Sequence, residues 1–197
     1  MTGLLTIALL FIVGYVIRLD MSDMTGWARK SARAGMEELA AALNYQRIAP
    51  RTDLKQGGLE KQFPGFRIHV DGDMSRIQVE FSRNTGLRLS SLQQNDFDIG
   101  ELTVLAFGNT RLNAFFSLRA GSAHWQQQSE ALEALLLPLT DQFRGRAVKY
   151  LYLKDEYLRV GFYHRNYLPL DLIKASLPVL ESFAEQLVFQ QKQRASS

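Results

Sequence analysis

The chain has 197 residues, 46% of them hydrophobic and 22% charged, which is enough for one good core or two small ones and too apolar for disorder or a collagen-like fibre. Lys and Arg number 23 against 20 Asp and Glu, and the formal charge of +3 is well short of the basic excess of a nucleic-acid-binding arm. There is no cysteine, which removes disulfides, thiolate metal sites and thiol nucleophiles.

The first element is the uncharged run GLLTIALLFIVGYVI at 3–17. With Met1 and Thr2 it gives about seventeen residues before Arg18, or roughly 25 Å of helix, the short end of what spans a bilayer. A secretory signal would carry basic residues before the apolar run and a small-residue cleavage site after it. Arg18-Leu19-Asp20-Met21 offers no such site. A buried core helix would keep a polar stripe, and this run is apolar all round. The reading is therefore a retained single-pass anchor over 1–19. Arg18, Arg29, Lys30 and Arg33 follow it and no side-chain cation precedes it, so the positive-inside rule puts the rest of the chain in the cytoplasm. The expected setting is a bacterial inner membrane. These four membrane-proximal cations can meet anionic headgroups at about 1 kcal/mol each, an attraction that Asp20 and Asp23 weaken.

Residues 20–189 read as an α+β domain and 190–197 as a frayed polar tail. Over 27–43, Ala28, Ala32, Gly35, Met36, Leu39 and Leu43 recur at three- and four-residue spacing, which predicts an amphipathic helix. Pro50 and the polar stretch 52–58 predict a loop. Phe66, Ile68 and Val70 then alternate with Arg67, His69 and Asp71. After a Gly72-Asp73 turn, Ile77, Val79 and Phe81 alternate with Arg76, Gln78 and Glu80, giving a hairpin with one apolar face. A third strand is expected at 87–89, and two more at 103–107 and 114–119 around a turn at 108–110.

A helix is predicted over 124–137, with Trp125, Leu132, Leu135 and Leu136 on one face and Pro138 disturbing or ending the pattern. A second hairpin follows, 147–153 and 157–163, turning at Lys154-Asp155-Glu156. The last helix, 170–188, carries Leu172, Ile173, Leu177, Leu180, Phe183, Ala184 and Leu187, with Pro178 kinking it or marking a shifted start. Helix then hairpin occurs twice, so two related halves, 24–119 and 120–189, are expected around one antiparallel sheet with helices mainly on one face.

Catalytic motifs are missing. The sequence has no H-E-x-x-H, G-x-S-x-G, G-x-G-x-x-G or P-loop pattern, and its three histidines, 69, 124 and 164, are widely spaced. His69 and Asp71 project on one sheet face and can form a pair, although the simpler reading leaves both on a solvated face opposite Ile68 and Val70. His164, beside Tyr163 and Arg165, reads as a partly buried structural residue. Asp96, Asp98 and Glu101 resemble the start of a calcium loop. The match fails because Gly100 is at the fifth position rather than the sixth, and Phe107 stands at the twelfth, where a glutamate is needed. No catalytic residue, metal site or cofactor is assigned.

The aromatic residues of the second hairpin are the candidate site. Leu158, Val160 and Phe162 take one face of its second strand and leave Tyr157, Arg159 and Tyr163 on the other, with Tyr150 and Tyr152 beside them if the register allows. Tyr and Arg on an exposed sheet face suit a protein partner, whereas a sheet covered on both faces would make the tyrosines core residues. Lys149 and Lys154 are too few to track a nucleic-acid backbone, so no nucleic acid is expected. The sequence thus predicts a membrane-anchored, non-enzymatic interaction domain, an accessory or assembly subunit of a membrane complex. The alternative is a small-molecule or lipid-binding domain, with or without enzymatic activity, whose pocket Phe66, Phe81, Phe115, Phe116 and Phe162 would line. Nothing in the sequence specifies an oligomeric state.

Overall fold

The computed structural model describes residues 33–49, 57–72, 74–91, 103–120, 125, 127–146, 148–163 and 170–195. Within them the strands are β1 Gln46–Ile48, β2 Gly58–Phe63, β3 Phe66–Asp71, β4 Arg76–Phe81, β5 Leu87–Ser91, β6 Thr103–Leu105, β7 Phe116–Ala120, β8 Val148–Lys154 and β9 Tyr157–Phe162. The helices are α1, 33–43, α2 Thr110–Asn113, α3 Ser129–Phe143 and α4 Leu170–Ala195. All the strands join one sheet in the order β1-β2-β3-β4-β9-β8-β5-β7-β6, with every neighbouring pair antiparallel. The β8–β9 hairpin sits between β4 and β5, so strands from before and after residue 120 share one continuous sheet.

The period-two pattern decides the layers. Ile68, Val70, Ile77, Val79, Phe81, Leu151, Leu153, Leu158 and Val160 fall on one face and are buried. They form a single cluster with Met36 and Leu39 of α1, Leu132, Leu135, Leu136 and Leu139 of α3, and Ile173, Leu177, Leu180, Phe183 and Leu187 of α4. Each such side chain contributes about 1.5–3 kcal/mol by leaving water. The helical layer therefore lies over this face.

A polar knot fixes its edge. Tyr45 Oη and Lys61 Nζ both donate to Glu181 Oε1 of α4, at 3.0 and 3.1 Å, and Lys61 also reaches the Leu43 carbonyl at 3.2 Å. Burial first, then the Glu181 charge, pushes the Tyr45 hydroxyl far up from its ordinary value, so it stays a neutral donor.

Several sequence expectations change. Strands β1 and β2 were not expected. The 108–110 turn opens into α2, whose Asn109 side chain accepts from Arg111 N at 2.9 Å, and an Arg111–Asp141 ion pair ties α2 to α3. Pro138 does not end α3 but lies inside it, because Leu139, Thr140 and Phe143 beyond the proline are buried and hold the helix on course. Helix α4 likewise continues past 188 to Ala195, through most of what the sequence suggested as a frayed tail, and contains Pro178.

Among the described residues no helix is long and apolar enough to cross a membrane. The anchor expected at 1–19, the cations Arg18, Arg29 and Lys30, the acidic residues Asp96, Asp98 and Glu101, and His124 and His164 lie outside the described residues. Arg33 is described; it is exposed at the start of α1 and 3.4 Å from Glu37 one turn on.

Candidate partner-binding face

The sheet face opposite the helical layer carries the alternate residues of each strand. Strand register aligns them in rows. One row runs Glu60, His69, Gln78, Arg159, Tyr152, Ser90 across six strands, and the next runs Gln62, Arg67, Glu80, Tyr157, Lys154, Arg88. Tyr150 stands opposite Gly161, next to a register shift between Val148 and Tyr150. The expected register thus holds, and Tyr150, Tyr152, Tyr157 and Arg159 are brought together.

Their geometry is specific. The Tyr150 and Tyr152 rings are 5.6 Å apart, and Tyr157 meets Tyr152 edge-on at 6.0 Å. The Arg159 guanidinium lies 4.4 Å from the centre of the Tyr157 ring. Its Nε donates to Gln78 Oε1 at 2.5 Å and its Nη1 to the Tyr152 hydroxyl oxygen at 3.0 Å. Gly161 makes room for the Tyr150 ring, since a Cβ there would overlap it. Tyr150, Tyr157 and Arg159 are half-buried, Tyr152 is 9% exposed and Tyr163, just past β9, is 50% exposed. The cluster is thus packed at its base and open at its top. Burial pushes the Tyr150 hydroxyl up from its ordinary value.

Around it the charges are largely paired. Arg67 donates to Glu80 at 2.6 Å and stands 3.8 Å from Glu60. Gln78 bridges Glu80 to Arg159, donating to Glu80 Oε1 at 2.5 Å. Arg88 grips Asp155 through Nε and Nη2 at 3.1 and 3.2 Å. Arg76 holds Asp71 at 3.0 and 3.2 Å, and His69 Nε2 lies 3.3 Å from the same carboxylate.

The solvated-face reading of His69 is corrected, because its ring is only 4% exposed and Gly58 of β2 packs directly on it. Alternation gives the face on which a residue projects, and burial depends on what its neighbours cover. No group of three metal-ligating side chains occurs among the described residues.

Asp71 makes a pH prediction. Burial alone would raise its carboxyl, but contact with His69 and Arg76 and the Arg76 charge outweigh that and hold it below its ordinary value. A depressed carboxyl contributes stability that is present above its unfolded value, about 3.9, and is lost as pH falls through the lower folded value. The melting temperature is expected to fall below about pH 4, and Asp71→Asn to show a shallower acid limb than the wild type. Equal acid limbs in thermal scans would refute this role for Asp71.

The phenylalanines proposed for a ligand pocket are otherwise engaged. Phe66, Phe81, Phe116 and Phe162 are 1–5% exposed within the hydrophobic cluster, and Phe115 packs against it. A groove of about 230 Å³ does occur, between α3 and α4 and lined by Leu135, Pro138, Pro178, Val179, Ser182, Phe183 and Gln186. It is below the roughly 300 Å³ at which ligand pockets begin.

The residues above define a class by architecture, an α+β domain with one antiparallel sheet, a helical layer on one face and an aromatic and guanidinium cluster on the other. No protein-family model matches the sequence, and no curated protein matches it. Among solved structures it is similar to the crystal structure of the mycobacterial trehalose monomycolate transport factor A, TtfA. The two share 12% identity with a TM-score of 0.44, over 82% of this chain and 93% of that one, a likeness too distant to bear on function.

Proposed function

We propose that this protein is a membrane-anchored, non-enzymatic accessory or assembly subunit that binds another protein through the Tyr150, Tyr152, Tyr157, Arg159 and Tyr163 face. The supporting observation is the convergence of Tyr150, Tyr152, Tyr157 and Arg159 on the sheet face opposite the helical layer, with Tyr163 exposed just past the end of β9. Tyr and Arg combine large contact area with oriented hydrogen bonding and are the residues most enriched in interface hot spots. The segment 1–19 tethers the domain, Arg18, Arg29, Lys30 and Arg33 hold it near the anionic cytoplasmic leaflet, and the partner belongs to a complex in the same membrane. The alternative, a lipid or small-molecule carrier, is less well supported because its five phenylalanines pack with the core.

The test is gentle extraction of the full-length protein from its native membrane, with mass spectrometry of what accompanies it. Stoichiometric membrane proteins are expected to accompany the wild type and to be lost when Tyr157, Arg159 and Tyr163 are replaced together by alanine, with the variant still folded. Partners retained by the folded triple variant would rule out this face, and a solitary wild-type protein would rule out the accessory role.

A further inference from the structure

Arg159 differs from Arg67, Arg76 and Arg88 on the same face. Those three each pair with a carboxylate. Arg159 is satisfied only by neutral groups, the Gln78 amide oxygen and the Tyr152 hydroxyl oxygen, and it stacks on the Tyr157 ring. No carboxylate pairs with it among the described residues, and its Nη2 has no acceptor there. Its half-buried position strips part of its hydration, while its two hydrogen bonds and the ring beneath fix the guanidinium plane.

We infer that Arg159 is the receptor for a single carboxylate, an aspartate or glutamate side chain on a protein partner that seats its flanking apolar groups on Tyr150 and Tyr157. The inference rests on the proposed reading of this face as a partner interface. A carboxylate docking on Nη2 and the free side of Nη1 forms charge-assisted bonds with a fork already aligned for it.

The neighbouring charges largely cancel. Glu60 and Glu80 are paired with Arg67, and Asp71 is paired with Arg76, so these carboxylates leave the Arg159 charge uncompensated. An isolated acidic side chain between apolar neighbours meets only the unpaired cation and the rings.

The test uses the full-length protein in nanodiscs of neutral phosphatidylcholine and random peptides displayed on phage as probes. Selected peptides are expected to share an acidic residue whose replacement by its amide weakens binding to the wild type about tenfold or more. The same replacement should have little effect against Arg159→Gln, so that the two changes are coupled. Arg159→Lys, which keeps the charge and loses the fork, should fall between them. Thermal melts of the three proteins establish that each is folded.

If peptides bind and are lost on Tyr157→Ala but show no coupling to Arg159, the interface stands and the carboxylate receptor falls. If no selected peptide depends on any of Tyr150, Tyr157 or Arg159, both fall. If peptides bind in neutral discs and are displaced when the discs contain phosphatidylglycerol, lipid occupies Arg159 and the protein-carboxylate assignment is overturned.

Discussion

Gly58→Ala is expected to destabilise the domain by about 3 kcal/mol, at the upper end of what one methyl group costs in a packed interior. Gly58 opens β2 opposite Asp71, and a Cβ built on it would overlap the Val70 carbonyl oxygen of the neighbouring strand and stand 2.6 Å from His69 Cε1. Neither obstacle yields cheaply. The carbonyl belongs to the sheet backbone, and the imidazole is 4% exposed. The strand end must therefore pull away from β3, giving up the Gly72 N to Gly57 O bond of 3.0 Å, or the His69 ring must leave its position beside Asp71. For a chain of this size the melting temperature should drop by about 6–12 °C. Gly108→Ala is the control, because its added Cβ would meet nothing nearer than Glu133 Oε1 at 3.6 Å, and it should shift the melt by less than about 2 °C. Equal melts for the two variants would mean that Gly58 is not packed as described.

The same neighbourhood shows what the sequence made legible. The β3–β4 and β8–β9 hairpins were readable because Ile68, Val79, Leu158 and Val160 alternate with polar residues over enough positions to define a face. Strand β2 was not, because GLEKQF places Lys61 on the apolar side, where its ammonium is neutralised by Glu181, 120 positions away in sequence. Strand β1 is three residues, too short to carry a period. At Pro138 the local signal of a broken helix is overridden, because buried leucines on either side of the proline hold the helix together.

At the candidate site, the face of Tyr150, Tyr152, Tyr157 and Arg159 followed from alternation. Three features did not: the insertion of β8–β9 beside β4, the Gln78 contact it creates, and the burial of His69. Each depends on strands distant in sequence becoming neighbours. The signal that was present and unused is glycine: Gly58 and Gly161 stand where a ring from the adjoining strand needs the space of a side chain.

Trp125→Ala is expected to cost about 3–5 kcal/mol, the range for removing a large aromatic side chain from a core. Trp125 is fully buried, and its Nε1 donates to the Thr85 carbonyl at 3.2 Å. Thr85 in turn clamps the β8–β9 turn, donating to the Asp155 carbonyl through its backbone N at 2.8 Å and its hydroxyl at 2.7 Å. Asp155 adopts φ 53°, a conformation that non-glycine residues seldom hold without support, and its carboxylate is gripped by Arg88. The indole thus supports, through one residue, the turn that sets Tyr152 against Tyr157. Its removal should lower the melting temperature by roughly 6–20 °C. It should also accelerate amide exchange at Thr85 more than in the β3–β4 ladder, which is held by its own strand pairs. Trp125→Phe keeps most of the apolar volume and loses the bond to Thr85, so its cost should be about 1–3 kcal/mol. A phenylalanine variant as unstable as the alanine one would make the hydrogen bond, rather than the filled volume, the larger contribution. An alanine variant with unchanged exchange at Thr85 would separate Trp125 from the turn and leave Arg88 and Thr85 as its supports.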